Sequence, residues 1–300
     1  MLIDLVHTTT RDDIRLDGAL LTEFPGYDRS AMDIDAFLLI HGTGGNFYGS
    51  TLFDAIAERL LQLGCAVLRA NTRGHDGIST AVTSRGGRRL GAAYEIVNDC
   101  RHDIAAWLEW LKQRAGPRIG LIGHSSGAVK CLYALAHEPG LPVTSVVALS
   151  PPRLSYSWFC NSVNAQQFLE TSHRAEALVN ESKPAALMEV TLPLPFVITA
   201  AGYVEKYGPD ERYNFLKFLP TVACPALVML GELEVAGNMA FQGLPEAIGE
   251  IAKRQSGLTV QTIAGADHFY TGVRRDVVEC IEQWLRFKHI SRTSAPPRAS

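Results

Sequence analysis

The chain of 300 residues predicts an α/β fold, a mostly parallel central sheet flanked by helices, with a mainly helical segment inserted into it. Three observations carry that expectation. From Phe37 onward, short apolar runs alternate with stretches of helical periodicity, as strands feeding crossover helices do. The alternation stops after Pro151-Pro152 and resumes at Ala226, which marks an insertion. The residues before Phe37 follow a different rule: 2–8 and 13–21 alternate with period two around a polar break at Arg11–Asp13, the pattern of an opening β-hairpin.

Phe37-Leu38-Leu39-Ile40 is the first fully apolar run and ends in His41-Gly42. Leu52, Ile56 and Leu60 recur at a spacing of four and define a helix that Gly64 is placed to close. Cys65–Leu68 is the next strand. Ile96, Cys100, Ile104, Leu108 and Leu111 draw one apolar stripe along a long helix, ended near Gly116-Pro117. Ile119–Ile122 is a strand, a helix opens at or just after Ser125, and Val143–Leu149 is a further strand. Within 153–220 the helical stretches are 164–180 and 209–218, with a proline-punctuated segment at 192–195. Afterwards come a strand at Ala226–Leu230, a helix from Leu244 to Arg254, a strand at Leu258–Ile263 and a last helix carrying Val277, Ile281, Trp284 and Leu285 on one face. The expected division is a core of 1–152 and 221–289, an inserted cap of 153–220, and a disordered tail of 290–300.

Hydrophobic residues at 47% and charged residues at 20% are ordinary for a globular chain that buries a sizeable core. A net charge of −3 gives no electrostatic footprint for nucleic acid or an anionic membrane. The opening MLIDLVHTTTRDD has neither a basic n-region nor a long apolar run, so no signal peptide is expected. The most apolar later stretch, Ala185–Gly202, is interrupted by Glu189, Pro193 and Pro195, so no membrane span is expected. The compartment expected is the cytoplasm, and either a monomer or a homo-oligomer fits the composition. Cys65, Cys100, Cys131, Cys160, Cys224 and Cys280 are scattered without a CxxC pair; most read as small hydrophobes in core strands or helices, and none as a disulfide or zinc ligand.

The chemistry centres on Gly123-His124-Ser125-Ser126-Gly127, a G-x-S-x-G sequence. So short a pattern recurs by chance, and its context carries more weight: it follows an apolar strand and opens a helix, as a nucleophile elbow requires. A sharp strand-to-helix turn there forces the serine into a strained backbone conformation and aims its hydroxyl into the cleft at a helix N-terminus.

With its neighbours, this motif resembles the α/β-hydrolase superfamily over residues 2–288, nearest in general likeness to the esterase and serine aminopeptidase-like branch. His41-Gly42-Thr43-Gly44-Gly45 looks like the family's oxyanion loop, and Asn71-Thr72-Arg73-Gly74-His75-Asp76 like its RGHG-type turn. Asp267-His268 follows the last strand. The resemblance implies Ser125 as nucleophile, His268 as general base, and the backbone N–H groups of Thr43 and Ser126 as the oxyanion hole. The loop reads HGTGG and not HGGG, so the preferences of HGGG esterases do not transfer; it also lacks the lysine of a P-loop and the spacing of a dinucleotide fingerprint.

For the triad acid, Gly231-Glu232-Leu233-Glu234 stands where the family shows G-x-x-D. Glu234 is the first choice and Glu232 the second. The other acid position of the family, after the sixth strand, holds Ser150-Pro151-Pro152 and no carboxylate. Asp267, beside His268, is expected to fix its loop. His41 and His124 are expected to shape their motifs, His75 to stand at the cleft mouth, and His7 with Asp12 to be a chance HxxxxD match. Arg85, Arg88 and Arg89 read as a solvated loop, the alternative being a run that faces the cleft and attracts an anionic substrate. Trp158, Phe159, Phe168, Met188, Phe196, Tyr203 and Tyr207 read as the cap's own core and its contact with the main domain, with some share in a pocket.

The function expected is a serine hydrolase cleaving a carboxylic ester, thioester or small amide through an acyl-enzyme, without cofactor or metal. The alternatives are a C–C-bond hydrolase or perhydrolase on the same triad, or a non-enzymatic ligand-binding protein of this fold. Dehalogenase and epoxide hydrolase chemistry would need a carboxylate where Ser125 stands.

Overall fold

In the computed structural model, residues 1–23, 32–138 and 140–293 are described. Among them, eight strands form one sheet in the order β1-β2-β4-β3-β7-β8-β11-β12. β1 (Leu2–Thr9) and β2 (Arg15–Thr22) are the opening antiparallel hairpin, and β2 runs antiparallel to β4 (Ala66–Ala70). From β4 across β3 (Ala36–Ile40), β7 (Ile119–His124), β8 (Val143–Leu149), β11 (Ala226–Gly231) and β12 (Leu258–Ile263), every neighbour is parallel. These strands read as continuous apolar runs because both faces are covered. In β3, Ala36, Leu38 and Ile40 enter one core cluster while Phe37 and Leu39 enter the other.

One face is covered by α1 (Thr51–Gln62) and α10 (Arg274–Thr293), the other by α2 (Cys100–Ala115), α3 (Ser126–His137) and the insertion. The apolar stripes fix these choices: Leu52, Ile56 and Leu60 of α1 meet Val277, Ile281 and Leu285 of α10 in the same cluster. Ser50 caps α1 by accepting from the Phe53 N–H at 3.2 Å. Gly64 ends the helix in the left-handed region (φ 83°), its N–H reaching Leu61 O and that of Cys65 reaching Leu60 O, a Schellman closure at the residue the sequence pointed to.

A surface hairpin, β5 (Ser79–Thr83) and β6 (Gly86–Leu90), carries the Arg85, Arg88 and Arg89 run, which is exposed. Residues 153–220 add no strand to the central sheet. They hold α4 (Tyr156–Cys160), α5 (Ala165–Asn180), a small hairpin of β9 (Leu187–Val190) and β10 (Phe196–Thr199), α6 (Ala200–Tyr207) and α7 (Phe215–Phe218). This hairpin stands where only a proline-punctuated segment is expected, and the helix expected at 209–218 is shorter. Gly208-Pro209 and a left-handed Glu211 (φ 48°) interrupt that stretch, leaving α7 alone. Phe159, Phe168, Met188, Tyr203 and Tyr207 are buried in the same cluster as the sheet residues, so residues 153–220 and the sheet share one apolar interior. Trp158 instead lies at the surface over the guanidinium of Arg153, 3.8 Å from ring centre to carbon.

After β11 the chain forms α8 (Glu232–Gly237) and α9 (Leu244–Ala252), of which only the second is expected from the sequence. Of the tail expected to be disordered at 290–300, α10 takes in the part through Thr293, and residues 294–300 lie outside the described residues. No helix among the described residues is long and apolar enough to cross a membrane.

Candidate active site

The chain leaves β3 toward β4 on one side of the sheet and returns to β7 on the other side of β3. Such a switch point opens a crevice beyond the carboxyl ends of two adjacent strands, where α/β sheets bind ligands. The loops at that point are His41–Gly45 after β3 and Ser125 after β7.

Ser125 sits between β7 and α3 at φ 56°, ψ −127°, a conformation costly for any residue with a side chain. It is held by its own N–H on Leu149 O at 2.8 Å and by α3, whose Ala128 and Val129 N–H groups bond back to Ser125 O. The turn also demands close approach: a Cβ on Gly127 would stand 2.3 Å from Ile40 O, so only glycine lets α3 begin against the end of β3. Ser126 is the first residue of α3, among the N–H groups a helix leaves without an intrahelical acceptor.

His268 Nε2 lies 3.0 Å from Ser125 Oγ, and its Nδ1 lies 2.6 Å from Glu234 Oε2. Glu234 is buried in the first turn of α8, where its Oε1 accepts from Gly231 N–H at 2.7 Å and from Ser150 Oγ at 2.5 Å. The Tyr270 hydroxyl lies 2.8 Å from Ser150 Oγ. The structure thus brings Ser125, His268 and Glu234 into one line. Glu232, the second choice for the acid, points elsewhere: its Oε2 accepts from Gly265 N–H at 2.8 Å on the exposed side. The longer arm of glutamate is accommodated by α8, which curls back from β11 so that one carboxylate spans Gly231 N–H and the imidazole. Asp267 Oδ1 accepts from the N–H groups of Phe269 and Thr271 and fixes the loop carrying His268.

The remaining histidines divide by partner. His41 is buried, which lowers its pKa to about 4 and keeps it neutral. Its Nε2 accepts from Thr72 N–H at 3.1 Å, so its Nδ1 carries the proton toward Gly42 O at 2.8 Å. The same carbonyl accepts from Gly45 N–H. These two bonds fix the Gly42–Thr43 peptide, whose N–H faces the opposite way from its carbonyl. His124 is likewise lowered to about 4, by burial first and His268 second, and its Nε2 lies 2.8 Å from His268 O. His75 pairs with Asp76 on a half-exposed surface, whereas His7 is exposed and its motif partner Asp12 turns inward to Arg73. Arg73 is fully buried and also meets Asp103 and Asp99, which anchors the turn after β4.

Several residues beside the site were not singled out from the sequence. Lys206 of α6 is buried, with Nζ 3.4 Å from Thr43 Oγ1. Its signal was present: Lys206 falls on the same buried helical stripe as Tyr203 and Tyr207. Phe241 packs 5.2 Å from the His268 ring, and Ser150, read only as lacking a carboxylate, braces Glu234. Among the described residues no group of three or more His, Cys, Asp or Glu is arranged to hold a metal ion.

The sequence matches the model of the alpha/beta hydrolase family over residues 37–279. The chain belongs to that family. Of solved structures, the Pyrococcus furiosus esterase Pf2001 is similar at 18% identity over 95% of this chain and 91% of that one, with a TM-score of 0.61. Est1E from Butyrivibrio proteoclasticus with bound ferulic acid is similar at 18% identity, over 95% and 99% of the two chains, with a TM-score of 0.63. The alpha/beta hydrolase GrgF from Penicillium sp. sh18 gives 16% identity, coverage of 97% and 100%, and a TM-score of 0.67. These likenesses establish the alpha/beta-hydrolase fold: a mostly parallel sheet flanked by helices. No curated protein matches the sequence.

Proposed function

We propose that this member of the alpha/beta hydrolase family is a serine hydrolase cleaving carboxylic esters, with Ser125 as nucleophile, His268 as general base and Glu234 as the orienting acid. The observation that carries the reading is the continuous line Ser125 Oγ–His268–Glu234, at 3.0 and 2.6 Å, on a strained serine at the switch point. With the imidazole proton kept on Nδ1 and hydrogen-bonded to Glu234 Oε2, Nε2 is left to accept the Ser125 hydroxyl proton and the ring becomes imidazolium. The hydroxyl oxygen then attacks the ester carbonyl. The N–H groups of Thr43 and Ser126 receive the oxyanion, and the His41–Gly42 bond presets the first of them. The imidazolium protonates the departing alcohol, leaving an acyl group on Ser125 Oγ. Water enters, His268 takes its proton, and collapse of the second tetrahedral intermediate returns that proton to Ser125 and frees the acid.

No step calls on a cofactor. Residues 153–220 act as a cap over the cleft in this reading. An ester is favoured over an amide because an alcohol leaves more readily than an amine, and one of the similar structures is named as an esterase. The test compares p-nitrophenyl butyrate with the matching p-nitroanilide, using wild type and Ser125→Ala. Ester turnover that exceeds anilide turnover and falls more than about 10³-fold in the variant is expected. Ester turnover unchanged by Ser125→Ala would overturn the proposal.

A further inference from the structure

Lys206 is a buried ammonium without a counter-ion of its own. It is 6% exposed, and among the described residues no carboxylate lies within ion-pair distance of it. Its nearest polar partner is Thr43 Oγ1, at 3.4 Å. The rings of Phe196 and Tyr207 flank it at 5.0 and 5.5 Å. Glu95, the carboxylate that acts on it most strongly, is already engaged by Lys130 at 2.5 Å, itself fully buried. Glu205, one residue before it on α6, is turned to the N–H groups of Val97 and Asn98 and to the Tyr213 hydroxyl. His41 is neutral. Two buried lysines therefore share one buried glutamate beside the oxyanion loop.

Burying a cation is expensive unless something compensates it. A lysine kept here for packing alone would be replaced to advantage by methionine or leucine. Its position is informative as well: it contacts Thr43, the residue whose N–H is read as an oxyanion donor, and so stands within a few bonds of the scissile carbonyl. A second buried cation, Arg153, lies over the Trp158 ring at 3.8 Å and has an Nε without a hydrogen-bond partner. Of the two, Lys206 is the one at the cleft, where an unpaired buried ammonium attracts negative charge.

We propose that the substrate carries a carboxylate close to its scissile carbonyl, and that Lys206 is the residue that recognises it. This rests on the ester reading above and narrows it to esters of dicarboxylic or similarly acidic acyl groups. The flexible stem of Lys206 brings a point charge to one oxygen of that carboxylate, while Phe196 and Tyr207 keep water away from the pair. The carboxylate supplies the missing negative charge beside Glu95, Lys130 and Lys206. A neutral ester of equal length would leave Lys206 uncompensated.

The test compares mono-p-nitrophenyl succinate with p-nitrophenyl butyrate, acyl groups of equal chain length that differ in the carboxylate, after subtraction of spontaneous hydrolysis. Wild type is expected to favour the succinate ester at least about tenfold in kcat/KM, and Lys206→Met to lose most of that preference, with Lys206→Gln as the substitute if the methionine variant does not fold. Equal or poorer use of the succinate ester by wild type, or a preference that survives in the variant, would overturn the proposal. If neither ester is turned over, the ester reading fails by itself. Calorimetry of succinate with Ser125→Ala then decides the role of Lys206. Binding that disappears on adding Lys206→Met supports it, and absent or unchanged binding refutes it.

Discussion

Replacing Glu234 by glutamine changes one oxygen for an amide nitrogen and tests the triad at its least expected member. Glu234 Oε1 accepts from Gly231 N–H at 2.7 Å, and Oε2 stands 2.6 Å from His268 Nδ1. A glutamine has one acceptor end and one donor end. If its NH₂ faces Gly231, two buried donors oppose each other at a cost of about 1–3 kcal/mol. If its NH₂ faces His268, the imidazole escapes the same conflict by shifting its proton to Nε2. The second arrangement wins, because the ring has two tautomers and the Gly231 N–H has no alternative. The histidine then presents a donor to Ser125, and its remaining lone pair, on Nδ1, faces the glutamine and cannot receive the hydroxyl proton. Wrong-tautomer substitutions of this kind cost about 10⁴ in kcat, about 5 kcal/mol of transition-state stabilisation. Initial rates with p-nitrophenyl butyrate should therefore fall by about 10³–10⁴ in Glu234→Gln, with little change in KM. Glu232→Gln, whose amide oxygen still accepts from Gly265 N–H, should stay within about twofold of wild type. A Glu234→Gln enzyme within tenfold of wild type would refute this assignment of the acid.

Gly127→Ala places a methyl group 2.3 Å from Ile40 O, so the start of α3 must move away from β3; a loss of about 1–3 kcal/mol in denaturant titration and a drop in kcat are expected together. Arg73→Met leaves Asp103 buried beside Asp12 and Asp99 with their shared cation gone, and should cost about 3–5 kcal/mol of stability by the same titration. Glu205 has its pKa pushed up to about 7 by burial, so the folded chain holds a proton there that the unfolded chain releases near 4.5. Its contribution is therefore fully present below pH 4.5 and lost as pH rises to 7, a change of about 3 kcal/mol. The stability of Glu205→Gln relative to wild type should rise by about that amount between pH 4.5 and 8, and a difference independent of pH would contradict it.

The sequence made the sheet legible because strands buried on both faces are written as unbroken apolar runs; Phe37–Ile40, Ile119–Ile122 and Ala226–Leu230 all lie in the strands found. It made α1 legible down to its closing glycine, since the stripe of Leu52, Ile56 and Leu60 and the φ of Gly64 are both local requirements. The insertion was less legible because its elements are short and depend on distant partners: α7 has 4 residues, and β9 and β10 pair only with each other. In the site, Ser125 and His268 announced themselves by motif and order. Glu234 was separable from Glu232 only once α8 turned one inward and left the other on Gly265. Ser150 and Lys206 had no motif to announce them, since their significance comes from contacts across 84 and 163 residues of chain.

The central claim is that Ser125 is an activated nucleophile, and labelling by a fluorophosphonate followed by peptide mass spectrometry tests it most directly. The folded chain should gain one adduct, located on Ser125, and both heat-denatured protein and Ser125→Ala should gain none. A folded chain that stays unlabelled, or an adduct that persists in Ser125→Ala, would contradict the account.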